Sequence, residues 1–368
     1  MESTVSVYDL IVIGAGPGGS AAAICAARAG ARVLLLERGS FPRHKVCGEF
    51  VSAESLGLLA ELLQSSANLV DGAIRIDRAR LFLDGQIVES AIRPAAASIA
   101  RFDLDLALWR AAAASGVDTR DHVTVTRVED GDDPVVITAT SSLRARAVID
   151  ATGRWSNLSP RQSSPGPKWL GIKGHFREAH PSKTVDLYFF DGGYCGVQPV
   201  DLFDDGSQGQ RINACAMVRA DRATDFPQIF RLHPELNARS MNWQPLMSPC
   251  TTSPLVFRKP TPVRNAMLLV GDAAGFVDPF VGDGISLALR SGAMAAECLT
   301  SAMSGGSEDA KHLYAGRYQR ELGPIFRASS ALRRVLALPS AMRKPALALF
   351  HNSSRLKDFV VSRTRRAS

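Results

Sequence analysis

The chain has 368 residues, 46% of them hydrophobic and 21% charged, with a formal net charge of +7. Such a length fits roughly two domains, and such a composition is ordinary for a globular protein. No apolar run approaches the ~20 residues of a membrane-crossing helix, no basic n-region marks a signal peptide, and six scattered cysteines without a C-x-x-C pair argue against a zinc site or disulfide framework and suit a reducing cytoplasm.

Residues 7–13, VYDLIVI, are a short apolar run of strand type. A glycine turn follows, and SAAAICAARAG, alanine-rich with Gly30 at its end, predicts a helix closed by a C-terminal glycine. ARVLLLERG is a second strand of the buried parallel kind, apolar without alternation, so the chain opens on a βαβ unit. AIRIDRARLFLDGQIVES alternates and turns at Asp84-Gly85, the pattern of a hairpin. DLDLALWRAAAASG predicts a helix closed by Gly116, and VDTRDHVTVTRVED and PVVITATSSLRARAVIDATG supply further strands. From about Lys168 to Arg258 the runs turn β-type and are punctuated by proline and glycine. At AMLLVGDAAGFVDPFVGDGISLALRSGAMAAECL the strand, turn and helix pattern returns, and the remainder is helical with breaks at Pro324, Pro339 and Pro345.

This pattern predicts an α/β fold: a Rossmann-type domain over 1–70, 99–160 and 260–305, an inserted β-sheet-rich substrate domain over 71–98 and 161–259, and a helical C-terminal region over 306–368. Two motifs say what the first domain binds. Gly14-Ala15-Gly16-Pro17-Gly18-Gly19 is G-x-G-x-x-G with a strand before it and a helix after it, so a pyrophosphate can meet the helix N-terminus. Glu37 ends the second strand, where a carboxylate accepts ribose hydroxyls, and an acid there favours an unphosphorylated adenosine ribose as in FAD or NAD. In the second motif, LLVGDAAGFVDPFVGDGISLA, a buried strand ends at Gly271-Asp272, an acid suited to a ribitol hydroxyl, and Gly282-Asp283-Gly284 opens another helix whose dipole can stabilise negative charge on a reduced flavin ring. Two glycine-opened helices far apart in sequence suit a long cofactor with two polar ends, which FAD is.

VIGAGPGGSAAA…LLLER, Arg101 opening RFDLDLALW, and GDAAGFVDPFVGDGI stand in that order over residues 8–292, and with them the chain resembles the FAD-dependent aromatic hydroxylase and geranylgeranyl reductase superfamily that shares the p-hydroxybenzoate hydroxylase fold. The resemblance implies that Arg101 contacts the cofactor, that Asp272 binds the ribityl chain and that Gly282 to Ser286 line the flavin pyrimidine edge. PRHKVCGEF looks most like the geranylgeranyl reductase branch, where a P-R-x-K-x-C-G segment brings a cysteine to the flavin. Cys47 follows His44 and Lys45, and neighbouring cations make a thiol more acidic; it then suits a proton donor to a carbon reduced by hydride, against the plainer reading of a small apolar filler. The candidate cofactor contacts are Gly14, Ala15, Gly16, Pro17, Gly18, Gly19, Glu37, Arg38, Lys45, Gly48, Arg101, Val125, Asp272, Gly282, Gly284 and Ile285. Cys47 is the candidate catalytic residue, and the seven histidines form no metal-ligand cluster.

The chain departs from its relatives in three places. Asp150-Ala151-Thr152-Gly153-Arg154-Trp155-Ser156 stands where the hydroxylases carry an Ala-Asp-Gly segment linked to cofactor and NAD(P)H, the expected electron donor. Tyr194-Cys195-Gly196-Val197-Gln198-Pro199 keeps the tyrosine and proline of a prenyl reductase segment without its tryptophan and phenylalanine. The paired-tryptophan motif of flavin halogenases is absent, which discards halogenation.

Two reactions remain. A monooxygenase would hydroxylate a hydrophobic or aromatic small molecule with NAD(P)H and oxygen; a reductase would saturate C=C bonds in a prenyl lipid. The missing tryptophan favours the first, Cys47-Gly48 and the basic apolar tail favour the second, and the sequence leans narrowly to the monooxygenase. A remote third reading is a non-enzymatic escort of prenylated partners. The charge is lopsided: from Arg317 onward twelve Lys/Arg face two acids, while residues 1–316 carry 31 basic and 34 acidic groups. That tail suits either solvated packing helices, the plainer reading, or contact with an anionic membrane surface, and it lacks the aromatics that nucleic acid would need. The expected location is cytoplasmic, with peripheral membrane contact as the alternative.

Overall fold

The structure, a computed structural model, describes residues 8–154, 156, 158, 166–202, 209–301, 307–336 and 338. Trp155 and the basic tail beyond Leu338, with Pro339 and Pro345, lie outside the described residues.

The opening unit forms as its sequence dictates. Strand β1 (Tyr8–Ile13) and strand β2 (Val33–Leu36) pair in parallel and are joined by helix α1 (Pro17–Arg28). The parallel strand Ser142–Asp150 flanks β1 on its other side, and Met267–Leu269 follows it, so the central order is 263–264, 267–269, 142–150, β1, β2, 118–120. β2 is buried at every position, which is why it reads as an unbroken apolar run. A short antiparallel extension, Val125–Glu129 with Val135–Thr138, hangs from the 142–150 strand.

The second sheet is built mostly from antiparallel pairs. Its order is 244–245, 169–178, 210–219, 193–202, 184–190, 74–83, 86–98, 50–51, with Cys250–Thr252 on the 169–178 strand. The hairpin turns at Asp84 (φ 53) and Gly85 (φ 76), both left-handed, as the two-residue turn requires. One face of this sheet is dry: Ile172, Phe176, Cys195, Val197, Ile212, Ala214 and Ala216 pack with the short helices Phe226–Arg231 and Pro234–Ser240. The alternate residues, period two apart, look the other way, toward the first sheet.

The helix Gly284–Ser301 packs directly on α1 through small residues. A Cβ added at Gly292 would sit 2.0 Å from the Gly18 carbonyl oxygen, and one at Gly18 3.1 Å from that of Ala288. The C-terminal helices Ser307–Glu321 and Gly323–Leu336 complete the layer; Pro324 falls in the first turn of the second, where a missing N–H is tolerated. Backbone contact at Gly292 leaves no room for a methyl group. Gly292→Ala is therefore expected to lower the unfolding free energy by about 3 kcal/mol, whereas Gly316→Ala, on the Ser307–Glu321 helix where the nearest atom is Arg320 Nη1 at 3.6 Å, is expected to raise it by about 0.5–1 kcal/mol through helix propensity. Urea unfolding midpoints of the two variants check the opposite signs.

Candidate functional site

Parallel strands of the first sheet end on one edge, and ligands in such sheets bind outside the carboxyl ends. The residues leaving those strands are Gly14 after β1, Glu37 and Arg38 after β2, Ala151 and Thr152 after the 142–150 strand, and Gly271 and Asp272 after the 267–269 strand. All line one cavity of about 840 Å³ between the sheets. Gly14 has φ +103, and a Cβ there would lie 2.4 Å from the Ala151 carbonyl oxygen, so only glycine makes this turn. At Gly16 the nearest atom to such a Cβ is Arg101 Nη2 at 3.9 Å, and the backbone there opens on the cavity. The N-terminus of α1 has no side-chain cap and no acid in its first turn, so its free N–H groups suit an anionic ligand.

Glu37 accepts from the backbone N–H groups of Ala15 and Gly39, each at 2.9 Å, and pairs with Arg43. Burial pushes its carboxyl up, but Arg43 and the two N–H groups outweigh this and hold it below the ordinary carboxylate range. Arg43 Nε lies 3.9 Å from Asp105, and Asp105 takes both forks of Arg101 at 2.6 and 2.8 Å. Burial disfavours the Arg101 charge; the Asp105 carboxylate reverses that and raises its pKa, and the same guanidinium meets the Cys47 thiol. An alternating line of charge thus runs Glu37–Arg43–Asp105–Arg101 along the wall and ends at Cys47.

At the far end, Asp272 faces Arg154 at 3.6 Å, and Arg154 lies over the Phe276 ring at 4.2 Å. Gly282 turns the chain at φ +80 against Phe50. Asp283 is hydrogen-bonded by Ser52 Oγ, and Ser286 Oγ accepts from the Ser52 N–H at 3.2 Å. Of the sequence-derived contacts, Gly14, Gly16, Pro17, Gly18, Glu37, Arg38, Lys45, Gly48, Arg101, Val125, Asp272, Gly282, Gly284 and Ile285 line the cavity with Cys47. Ala15 and Gly19 do not: Ala15 is buried and donates to Glu37, and Gly19 packs on the Gly14 carbonyl. The donor set, an uncapped helix N-terminus, a carboxylate at the β2 end and a second glycine-opened helix, fits a dinucleotide such as FAD.

Sequence reasoning missed the floor of the site. Lys173, His175, Gln198 and Asn213 are buried and look toward Cys47–Gly48–Glu49 from the second sheet. Glu49, wholly buried at φ 62, receives the Lys173 ammonium, His175 Nε2 at 2.7 Å and the Arg101 N–H at 2.8 Å. Burial raises the Glu49 carboxyl, but His175 and Lys173 outweigh it and leave it ionised. Asn213 Nδ2 donates to the Cys47 carbonyl at 3.0 Å and Gln198 Nε2 to that of Glu49 at 3.2 Å. In GIKGHFREA the sequence shows Lys173 and His175 two apart, on one face of a strand, without saying which face is covered. Beyond Cys47 the cavity turns apolar, with Val185, Leu187, Tyr194, Met217, Leu255 and Phe280 on its walls. There Tyr194 donates to buried Asp278 at 3.3 Å. Among the described residues no metal-ligand cluster exists, and no helix is long and apolar enough to cross a membrane.

Residues 9–154 match the model of the FAD dependent oxidoreductase family. This match and the reductase-named relatives support an enzyme of the FAD-dependent oxidoreductase class. It is 28% identical over 347 residues to digeranylgeranylglycerophospholipid reductase 1 of Methanothermobacter thermautotrophicus, covering 86% of this chain and 82% of that one. It is also 28% identical over 357 residues to menaquinone reductase of Mycolicibacterium smegmatis, covering 90% and 85%. In fold it is similar to a flavin-dependent brominase (TM-score 0.81, 19% identity, 98% of this chain and 93% of that one) and to a geranylgeranyl bacteriochlorophyll reductase-like protein of Thermoplasma acidophilum (TM-score 0.75, 20% identity, 98% and 96%). Enzyme membership sets the escort reading aside.

Asp278 gives the site a measurable pH signature. Burial pushes its carboxyl up to about 6, with only the Phe280 N–H, Arg333 and Tyr194 opposing. A carboxyl raised on folding stabilises below its unfolded pKa and loses that contribution as pH rises through its folded pKa. The stability of Asp278→Asn relative to the native chain is therefore expected to grow by about 2.4 kcal/mol between about pH 4 and about pH 7.5, whatever the constant cost of burying the amide. Denaturant titrations at the two pH values check it.

Proposed function

We propose that the protein reduces carbon–carbon double bonds in a prenyl or quinone-type lipid, with Cys47 as the proton donor. The position of Cys47 carries this reading: its thiol lies where the charged half of the cavity gives way to the apolar half, fixed by the Glu49 N–H at 3.3 Å and by Arg101. Relatives named for the reduction of unsaturated lipids, each matching four-fifths or more of its own length, support the same direction. That moves the balance away from the monooxygenase toward which the sequence leans.

The N-terminus of α1 would hold the phosphates of FAD and Gly282–Ile285 its ring, and the reduced cofactor would supply a hydride there. The protein's part is to hold the lipid along the apolar wall with the double bond over the ring, exclude water, and deliver a proton. Cys47 gives its S–H proton to the carbon next to the one that takes the hydride, and solvent restores it afterwards. Carbon gains two hydrogens, and the two electrons come from a nicotinamide donor, NADH or NADPH.

A monooxygenase remains the second reading, favoured by the absent tryptophan and phenylalanine at Gly196 and Gln198. The two separate in one anaerobic experiment. The FAD-loaded protein is reduced with dithionite and mixed with geranylgeraniol in detergent micelles. Reoxidation of the flavin with a product richer by two hydrogens is expected, and Cys47→Ala should slow it by about 100-fold or more. No reoxidation until oxygen is admitted, with an oxygen atom entering the product, would replace the reductase by the monooxygenase.

A further inference from the structure

The second sheet turns a graded face to the cavity. Register places Tyr194, Met217 and Gly171 in one row, Leu187, Gly196, Cys215 and Lys173 in the next, and Gln198, Asn213 and His175 in the third. The first two rows wall the lipid-sized space, apart from Lys173. Lys173 and the third row do something else: Lys173, His175, Gln198 and Asn213 donate to Cys47 or Glu49. Asn213 holds the Cys47 carbonyl, Gln198 the Glu49 carbonyl, and His175 with Lys173 the Glu49 carboxylate. The Arg101 N–H closes the cluster from the first domain.

We propose that Glu49, gripped by Lys173 and His175, together with Asn213 is a positioning device for Cys47, fixing its thiol over the cavity for proton delivery. The loop needs such a device. Glu49 is a non-glycine residue in the left-handed region, which its own side chain disfavours, and a Cβ at Gly48 would meet nothing within 4 Å, so sterics do not shape the turn. Hydrogen bonds from the neighbouring sheet, with the Arg101 N–H, hold the loop whose Glu49 N–H meets Sγ. A buried charge cluster is a poor source of stability but a good source of a single geometry, since any other arrangement strands a charge. Near it stand His44 from the same loop, Asp103 from the helix opened by Arg101, and Asp201, Arg211 and Cys215 from the second sheet.

This rests on the reductase reading, and the experiment separates the two. Three variants are compared as FAD-loaded protein: His175→Leu, Asn213→Ala, and His175→Gln, which keeps a donor toward Glu49. Hydrogen exchange of the peptide spanning residues 44–52 reports loop order, and the anaerobic reoxidation assay reports proton delivery. His175→Leu and Asn213→Ala are expected to speed exchange in that peptide by about tenfold, leaving peptides of β1 and α1 unchanged. They should also lower the limiting reoxidation rate about tenfold at unaltered half-saturation for geranylgeraniol, and His175→Gln should restore both. Native-like exchange at 44–52 in both disrupting variants, or exchange that rises equally everywhere, overturns the proposal. If Cys47→Ala reoxidises as fast as the native protein while loop exchange behaves as expected, the proton-donor reading fails and the clamp stands without that role.

Discussion

Everything in this molecule turns on one buried contact, the Glu49 carboxylate against Lys173 and His175. The two sheets need not have left a space between them; dry apolar faces would have closed on each other, at about 25 cal/mol gained per Å² of apolar surface covered. Instead the facing surface of the second sheet carries buried donors, and burying an ion costs several kcal/mol unless its partner is fixed. The partner comes from the other domain, on a loop that leaves the dinucleotide-type turn. Removing any one of the three would strand a charge at a cost of about 3–5 kcal/mol, so the domains are registered at a single point and the remaining space stays open as a cavity.

From that point the charges run in one direction and the apolar walls in the other. Arg101 belongs to both arms: its backbone N–H supports Glu49 and its guanidinium is locked by Asp105. Through Arg43, Asp105 is tied to Glu37 at the β2 end. A side chain held from several sides keeps its rotamer, and a site held in that way can be complementary to one geometry instead of many. The opposite arm is walled by apolar side chains such as Phe280 and Leu255, and Asp278 sits behind Tyr194 with its carboxyl pushed up toward neutrality.

Most of the first domain was legible in the sequence, because its constraints are local. Gly14, Gly16 and Gly19 stand together in one turn, and β2 is apolar at every position because both its faces are covered. The hairpin at Asp84-Gly85 and the helix opened by Gly282-Asp283-Gly284 are equally local. The floor of the site was not legible, for a physical reason. Whether Lys173 and His175 point to solvent or inward depends on which face of the sheet a partner covers, and the parity of one strand does not contain that information. Glu49 was visible beside Cys47, but its partners lie 124 and 126 residues away. Pairing at that range belongs to topology.

Fold likeness alone would have pointed elsewhere. A brominase superimposes on this chain at a TM-score of 0.81, above the 0.75 of the reductase-like protein, at nearly equal identities. The scaffold is shared because edge-on delivery of a dinucleotide by parallel strands is indifferent to what happens at the ring. What differs between chemistries is the wall facing the ring. Here that wall holds a thiol at the boundary of charged and apolar space, with Asn213 and Gln198 gripping the backbone on either side of Gly48. Under the proposed reduction such a thiol would serve as the proton donor. A reducing site needs one, because a hydride delivered to carbon is useful only if a proton waits on the adjacent atom.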